Sequence, residues 1–162
     1  MEIWDAYDER MQKINNVKLV RGNPIPDGMY HLVCDIIVKH IDGTYLLMQR
    51  DLKKHLGGYW EATAGGAAFS GEDPIECAKR ELEEETGISG YELIELGITI
   101  HHANKSIYYE YLCEVNIDKN SILLQNGETI AFKWVNLDLL RESERGNLAS
   151  KRILSFIDEL NK

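Results

Sequence analysis

The hydrophobic and polar positions along the chain change their period several times, and each period predicts a type of element. Tyr30–Lys39 is rich in β-branched residues and Thr44–Arg50 follows the turn at Asp42–Gly43, so both are predicted strands. Residues 1–29 are predicted to form an N-terminal extension with a short strand or hairpin. The other predicted strands are Trp60–Ala67, Leu93–His101, Ser106–Val115 and Thr129–Val135. The chain is therefore expected to build a sheet.

A helical period appears after the predicted strand Trp60–Ala67. Asp73 can cap the helix, Pro74 suits its first position, and Glu76 stands where a capping-box carboxylate belongs. Gly87 is expected to end it. The apolar groups on one face belong to Ile75, Ala78, Leu82 and Thr86. This segment predicts an amphipathic helix with one buried face.

The end of the chain also has a helical period. Two closing helices are predicted, at roughly Leu137–Glu144 and Ala149–Asn161. Strands and helices that alternate in this way indicate an α/β or α+β fold, in which a mixed β-sheet is sandwiched between α-helices. Because no linker or internal repeat interrupts the pattern, residues 1–162 are expected to form a single domain.

The central helix carries a cluster of glutamates. Glu81, Glu84 and Glu85 are related by i, i+3 and i+4 spacing, so their carboxylates should converge on one face. Their mutual repulsion destabilises the helix unless a cation offsets it, and Mg²⁺ prefers such oxygen ligands. Arg80 precedes Glu84 by four residues and can orient it. Taken alone, a glutamate-rich helix is more often a solvated surface.

Charge and composition exclude several classes of protein. A net charge of −9 disfavours binding to long nucleic acids, although it leaves a small phosphorylated ligand open. The apolar runs are too short to span a membrane, and the N-terminus has no secretion signal. The three cysteines, Cys34, Cys77 and Cys113, are widely scattered, which suits a protein of the reducing cytoplasm. Their spacing is not that of a zinc site.

The glutamate cluster belongs to a longer motif over residues 66–88. Gly66 is followed after five residues by Glu72, and after seven more by the run Arg80-Glu81-Leu82-Glu83-Glu84-Glu85-Thr86-Gly87-Ile88. All the specified positions match the box of the Nudix hydrolase superfamily, which the chain resembles over roughly residues 30–145. The resemblance implies the Nudix fold and the hydrolysis of a phosphoanhydride bond in a nucleoside diphosphate derivative.

The resemblance also implies a role for each residue of the box. Glu84 and Glu85 look like the principal metal ligands, and Glu81 like a further ligand or the general base. Gly66 would offer its carbonyl to the metal, and Arg80 would hold the glutamates in place. The cofactor would be Mg²⁺, with Mn²⁺ as the alternative, and the partner a small-molecule diphosphate. A homodimer is what the family suggests.

Two further glutamates are secondary candidates for the metal site. Glu72 would lie close to it, and Glu128 matches a family pattern in which an acidic residue on a later loop reaches the metal. The alternative for Glu128 is an ordinary residue at the start of a strand. In a loop before the box, the basic side chains expected to contact substrate phosphate are Arg50, Lys53 and Lys54.

The N-terminal residues resemble the branch related to isopentenyl-diphosphate isomerase. They include the run Glu2–Glu9 and the pairs Arg21-Gly22 and Tyr30-His31. That isomerase needs a cysteine just after a tryptophan, where this chain has Glu61–Ala64. Cys34 is expected in the core instead. Hydrolase activity is therefore favoured, with an isomerase and a non-catalytic nucleotide-binding sensor as alternatives.

Overall fold

A computed structural model describes residues 1–144 and 146–162 of the chain. The strands are β1 Ile3–Tyr7, β2 Lys13–Val20, β3 His31–His40, β4 Tyr45–Arg50, β5 Trp60–Glu61, β6 Ala64–Ala67, β7 Leu93–His101, β8 Ser106–Val115 and β9 Thr129–Val135. The helices are α1 Pro74–Thr86, α2 Leu137–Glu144 and α3 Leu154–Leu160, with a short 3₁₀ turn at Lys119–Ser121. In the described part of the chain, no helix is long and apolar enough to cross a membrane.

Strands β3 to β9 form one mixed sheet. Its main path runs β5-β4-β3-β8-β7, while β6 pairs with β3 and β9 pairs with β4. The pairing of β3 with β8 is parallel, from His31 opposite Ser106 to His40 opposite Val115, and the other pairings are antiparallel. The predicted mixed sheet is confirmed.

Helices cover both faces of this sheet. Alternate residues of β3, from Leu32 to Val38, point towards α1 and pack with its buried residues Ala78 and Leu82. Ile37 points to the other face, where it belongs to a second apolar cluster with Leu140, Ile153 and Ile157. Because a strand alternates its side chains between two faces, a strand buried on both sides reads as a nearly continuous apolar run.

The N-terminal extension is a separate two-stranded hairpin. Strands β1 and β2 pair antiparallel, with Ile3 opposite Val20 and Trp4 opposite Leu19. Trp4, Ala6 and Leu19 form a small apolar cluster of their own. The hairpin also joins the rest of the molecule through Tyr7, whose amide and carbonyl pair with those of Tyr30. The predicted hairpin is therefore present.

The last helix is shorter than the predicted Ala149–Asn161. It begins at Leu154, because the preceding segment makes other contacts. Trp60 and Leu148 form a parallel bridge, and the amide of Ala149 donates to the carbonyl of Trp60 at 2.8 Å. Arg152 then contacts the buried carboxylates of β3 and β8. These long-range contacts replace the first turns of the predicted helix.

Candidate active site

The glutamates of α1 are positioned by a helix whose ends are fixed locally. Asp73 accepts from the amide of Glu76 at 2.8 Å, and Glu76 accepts from the amide of Asp73 at 2.9 Å, which completes the predicted capping box. At the other end Gly87 has φ 76°, and its amide donates to the carbonyl of Glu83 at 2.8 Å. Because both ends of the helix are fixed, the side chains between the caps point in fixed directions around the helix axis.

A cavity of about 410 Å³ lies beside this helix, and α1 forms one of its walls. The α1 residues that line it are Arg80, Glu81, Glu84 and Glu85. Its other lining residues are Glu2, Trp4, Arg21, His31, Val33, Lys54, Gly65, Gly66, Ala67, Phe69, Gln125 and Glu128. The structure thus brings the predicted residues of the box together around one cavity, except Glu72, which stands next to it.

Arg80 joins three carboxylates at the base of the cavity. It holds Glu72 through Nε at 2.6 Å and Nη2 at 2.9 Å, and Nη1 donates to Glu81 at 2.7 Å and to Glu84 at 3.2 Å. Burial opposes the charge of Arg80, but the bonds to Glu72 and Glu81 raise its pKa above the usual value. In return, the hydrogen bonds from Arg80 lower the pKa of Glu72. Glu72 is placed to support Arg80.

Glu85 has a different environment. Its side chain is buried, and one carboxylate oxygen accepts from the amide of Gly65 at 3.1 Å. Burial, with the nearby charge of Glu81, raises the pKa of Glu85 to about 8, although the bond from Gly65 opposes the shift. Burial also raises the pKa of Glu81, against the effect of Arg80. Burial therefore disfavours the charged form of both Glu81 and Glu85, which line the cavity.

Gly66 is close-packed against Glu81. A Cβ on Gly66 would lie 2.5 Å from Oε1 and 2.7 Å from Oε2 of Glu81, so the carboxylate occupies the space that a side chain would need. The carbonyl of Gly66 accepts from the thiol of Cys77 at 3.6 Å. The absence of a side chain at Gly66 thus leaves room for the carboxylate of Glu81 at this position beside strand β6.

Glu128 reaches the cavity from the loop before β9, where it forms an ion pair with Lys54. Of the three basic side chains predicted to contact phosphate, only Lys54 lines the cavity. Arg50 instead pairs with Glu61 and donates to the carbonyl of His55 at 2.8 Å, while Lys53 is exposed. Neither Arg50 nor Lys53 lines the cavity, which corrects the expectation for these two side chains.

The N-terminal hairpin supplies site residues to which the sequence reasoning assigned no role. Glu2, Trp4 and Arg21 line the cavity. Their spacing along the chain carries no motif, and they meet the box only because the hairpin folds over it. The one signal in the sequence was the resemblance of this stretch to the isomerase-related branch.

Comparison with known proteins decides the family. The NUDIX domain model matches residues 29–156 of the chain. The chain belongs to the Nudix family. The match includes the whole box, and it begins after the hairpin strands β1 and β2. The predicted enzyme class, a Nudix hydrolase, is confirmed at the level of the family.

The chain is also similar to individual proteins, one of which is named as a Nudix hydrolase. An uncharacterized Nudix hydrolase of Listeria innocua serovar 6a is 29% identical over 119 residues, which are 73% of this chain and 64% of that protein. The match thus spans just under two thirds of that relative. The isopentenyl-diphosphate Delta-isomerase of Rhodobacter capsulatus is 31% identical over 127 residues, which are 74% of this chain and 72% of that protein.

The fold is shared with solved structures. The crystal structure of DR0079 from Deinococcus radiodurans aligns with a TM-score of 0.79, and the match covers 98% of each chain at 17% sequence identity. The N-terminal hairpin is therefore included in the shared fold. The predicted Nudix fold is confirmed.

A divalent cation fits the donors that this Nudix site presents. Glu81, Glu84 and Glu85 offer carboxylate oxygens on one wall, and Gly66 adds a backbone carbonyl nearby, which is the all-oxygen set that a hard cation prefers. Among residues 1–144 and 146–162, no three His, Cys, Asp or Glu side chains are already arranged to hold an ion. Glu81 and Glu84 are bonded to Arg80 instead, so an ion would compete with Arg80 for them.

Proposed function

We propose that the protein is a Mg²⁺-dependent hydrolase that cleaves a phosphoanhydride bond in a nucleoside diphosphate derivative or a similar diphosphate compound. The observation that carries the proposal is the wall of the cavity, where Glu81, Glu84 and Glu85 stand side by side in a member of the Nudix family. Mn²⁺ is the alternative cofactor, since its oxygen ligands are the same.

Each carboxylate of the wall has a part in this proposal. Glu84 and Glu85, with the carbonyl of Gly66, would hold the cation, and Glu81 is a further ligand or the base. A bound divalent cation supplies charge neutralisation on the bridging phosphate oxygens and a more acidic water. Because Glu85 accepts from the amide of Gly65, its carboxylate is held at a fixed place in the wall.

The proton of the attacking water needs a base within hydrogen-bond reach. Glu81 and Glu128 both line the cavity, and each is bonded to a cation, Arg80 and Lys54 respectively. Both side chains offer carboxylate oxygens, which can accept a proton. We assign the base to one of these two residues.

A second candidate activity is the isomerisation of an allylic diphosphate. The similarity to the isomerase of Rhodobacter capsulatus favours it. Against it stands the position of the thiols, because the three cysteines are buried and the site after Trp60 holds Glu61, which is paired with Arg50. An isomerase without a thiol in its cavity would need another group to move the proton, so hydrolysis is the better supported activity.

The test is turnover with Mg²⁺ across a panel of nucleoside diphosphate derivatives, with phosphate or phosphomonoester release as the readout. Glu84→Gln should lower the rate by about 10²–10⁴-fold, since a carboxylate on the reacting centre is lost. Glu83→Gln is the matched control, because Glu83 is the exposed neighbour of Glu84 and does not line the cavity. Equal loss in both variants would contradict the proposed site.

Other outcomes of the same panel would support the alternatives. Conversion of an allylic diphosphate without phosphate release would support the isomerase. Tight nucleotide binding without turnover would support a non-catalytic sensor. Four expectations stay predictions: a single domain over residues 1–162, a cytoplasmic location, a homodimer, and no long nucleic acid as a partner.

A further inference from the structure

The N-terminal hairpin lies outside the matched family region, residues 29–156, yet it forms part of the cavity wall. Its contribution is Glu2, Trp4 and Arg21. We propose that Arg21 is a substrate-binding residue that contacts a phosphate oxygen of the diphosphate and so makes the hairpin a specificity element. This inference rests on the proposed function, because it names how the same cavity recognises its substrate.

The hairpin is docked onto the box itself. Asp5 is buried, and it accepts from Ser70 Oγ at 2.9 Å and from the amide of Gly71 at 3.0 Å, both in the loop before α1. Lys13 and Lys18 form ion pairs with the same carboxylate. The amide of Ser70 also donates to the carbonyl of Ile3 at 2.8 Å. These bonds fix the hairpin relative to the glutamates of α1.

Arg21 is held at the end of the hairpin that faces the cavity. Its amide donates to the carbonyl of Glu2 at 3.0 Å, and its guanidinium donates to the carboxylate of Glu2 at 2.8 Å. The indole of Trp4 donates to the other oxygen of Glu2 at 2.7 Å, and its ring stacks on His31 with 4.1 Å between centroids. Glu2 is thus fixed from two sides and orients Arg21.

The chemistry of Arg21 suits a phosphate. Its side chain is 67% exposed, and the bond to Glu2 uses one of its five N–H donors. The hydrogen bond that Arg21 donates to Glu2 raises the pKa of Arg21, and the negative charges of Glu128 and Glu81 add to this shift. The guanidinium therefore stays charged beside the carboxylates of the cavity. A diphosphate between α1 and the hairpin would meet the cation held by the glutamates on one side and this guanidinium on the other.

The test measures binding of methylenediphosphonate in the presence of Mg²⁺ by calorimetry, since this compound has the diphosphate shape and cannot be hydrolysed. Arg21→Gln should weaken binding about tenfold or more, as the loss of a charge-assisted bond predicts. The matched control is Arg10→Gln, which removes the same charge from the exposed turn at the opposite end of the hairpin. That variant should bind like the wild-type protein.

A second variant distinguishes a direct contact between Arg21 and phosphate from an indirect effect of Arg21 through Glu2. If Arg21 acted only by holding Glu2, Glu2→Gln would weaken binding as much as Arg21→Gln does. If Arg21 touches the phosphate, Glu2→Gln weakens binding less than Arg21→Gln does, because the guanidinium is still present. Four outcomes would overturn the inference. Arg21→Gln could bind as tightly as the wild-type protein, Arg10→Gln or Glu2→Gln could lose as much affinity as Arg21→Gln, or the wild-type protein could fail to bind methylenediphosphonate.

Turnover distinguishes this inference from the proposed function. A wild-type protein that hydrolyses no diphosphate, yet binds methylenediphosphonate through Arg21, would refute the hydrolase and leave the inference standing. Where hydrolysis is observed, Arg21→Gln should raise KM about tenfold and leave kcat within about twofold, because a contact made equally in the ground state and transition state affects KM.

Discussion

Arg80 holds Glu72 by two parallel hydrogen bonds, from Nε to Oε1 at 2.6 Å and from Nη2 to Oε2 at 2.9 Å. The two residues are eight positions apart, with the start of helix α1 between them. Nη1 of the same guanidinium is left to bond Glu81 and Glu84. Glu72 therefore orients an arginine that in turn orients two of the proposed metal ligands.

Arg80→Lys should reduce both stability and activity. An ammonium group is a point charge and cannot bind Glu72 with two parallel bonds while it also contacts Glu81. We expect unfolding in urea to show a loss of about 1–3 kcal/mol, and kcat to fall about tenfold or more. Lys79→Ala is the control, because Lys79 is the exposed neighbour of Arg80 and does not line the cavity. A lysine variant with wild-type kcat would contradict the positioning role.

The neighbouring glycines Gly65 and Gly66 should respond differently to alanine. At Gly66 the new Cβ would meet the carboxylate of Glu81, which can rotate away, so activity should fall while stability changes by about 1 kcal/mol or less. At Gly65 it would lie 2.1 Å from the carbonyl oxygen of Cys34, which is backbone and cannot move cheaply.

Gly65→Ala should therefore lower the free energy of unfolding by about 1–3 kcal/mol or more. Urea denaturation and turnover, measured on both variants, check the pair. If Gly66→Ala retained full activity, the close approach of Gly66 to Glu81 would have no part in the site.

The buried Glu85 should make the stability of the metal-free protein depend on pH. The pKa of Glu85 is raised to about 8 in the folded state, whereas in the unfolded chain the same carboxyl group ionises near its usual pKa of 4.5. Between these values the folded state binds more protons, so stability should fall as pH rises through this window. Glu85→Gln should flatten that fall, because the amide does not titrate.

The measurement is urea denaturation in a chelator at several pH values between about 5 and 9, on wild type and on Glu85→Gln. Glu83→Gln removes an exposed carboxylate from the same helix and should keep the wild-type slope. Identical slopes in all three proteins would mean that Glu85 ionises in the folded state as it does in the unfolded chain.

Asp5→Asn should loosen the hairpin. Burial raises the pKa of Asp5, but the bonds from Lys13 and Lys18 outweigh it and hold the pKa well below the usual range. A lowered pKa means that the stabilisation is present above the unfolded value of about 4 and is lost as pH falls.

We expect Asp5→Asn to cost about 1.5–3 kcal/mol at neutral pH and less in acid. It should also weaken methylenediphosphonate binding, since Arg21 loses its support. Asp8→Asn, in the exposed turn of the hairpin, is the comparison. A cost at pH 7 no larger than that of Asp8→Asn would mean that Asp5 does not dock the hairpin.

The sequence by itself determined the elements whose causes are local. Helix α1 follows from Asp73, Pro74, Glu76 and Gly87, which satisfy its terminal backbone groups within a few residues of each end. The i, i+3 and i+4 spacing likewise places Glu81, Glu84 and Glu85 on one side of that helix, whatever the rest of the chain does. Strands β7, β8 and β9 follow from their composition and period, and their bounds agree with those predicted.

Only the tertiary structure decided which distant residues share the site. Lys54 pairs with Glu128, which is 74 positions away, and Asp5 accepts from the amide of Gly71, which is 66 positions away. No local pattern therefore distinguishes these charged side chains from solvated ones. Arg50 carries the same charge as Lys54 but pairs with Glu61, because adjacent strands place those two side by side. Helix α3 begins late for the same reason, since Leu148 and Arg152 bond to the sheet. These contacts depend on packing and ion pairing between segments that are far apart in the sequence. A short stretch of sequence does not contain both partners, so it cannot predict which pairs form.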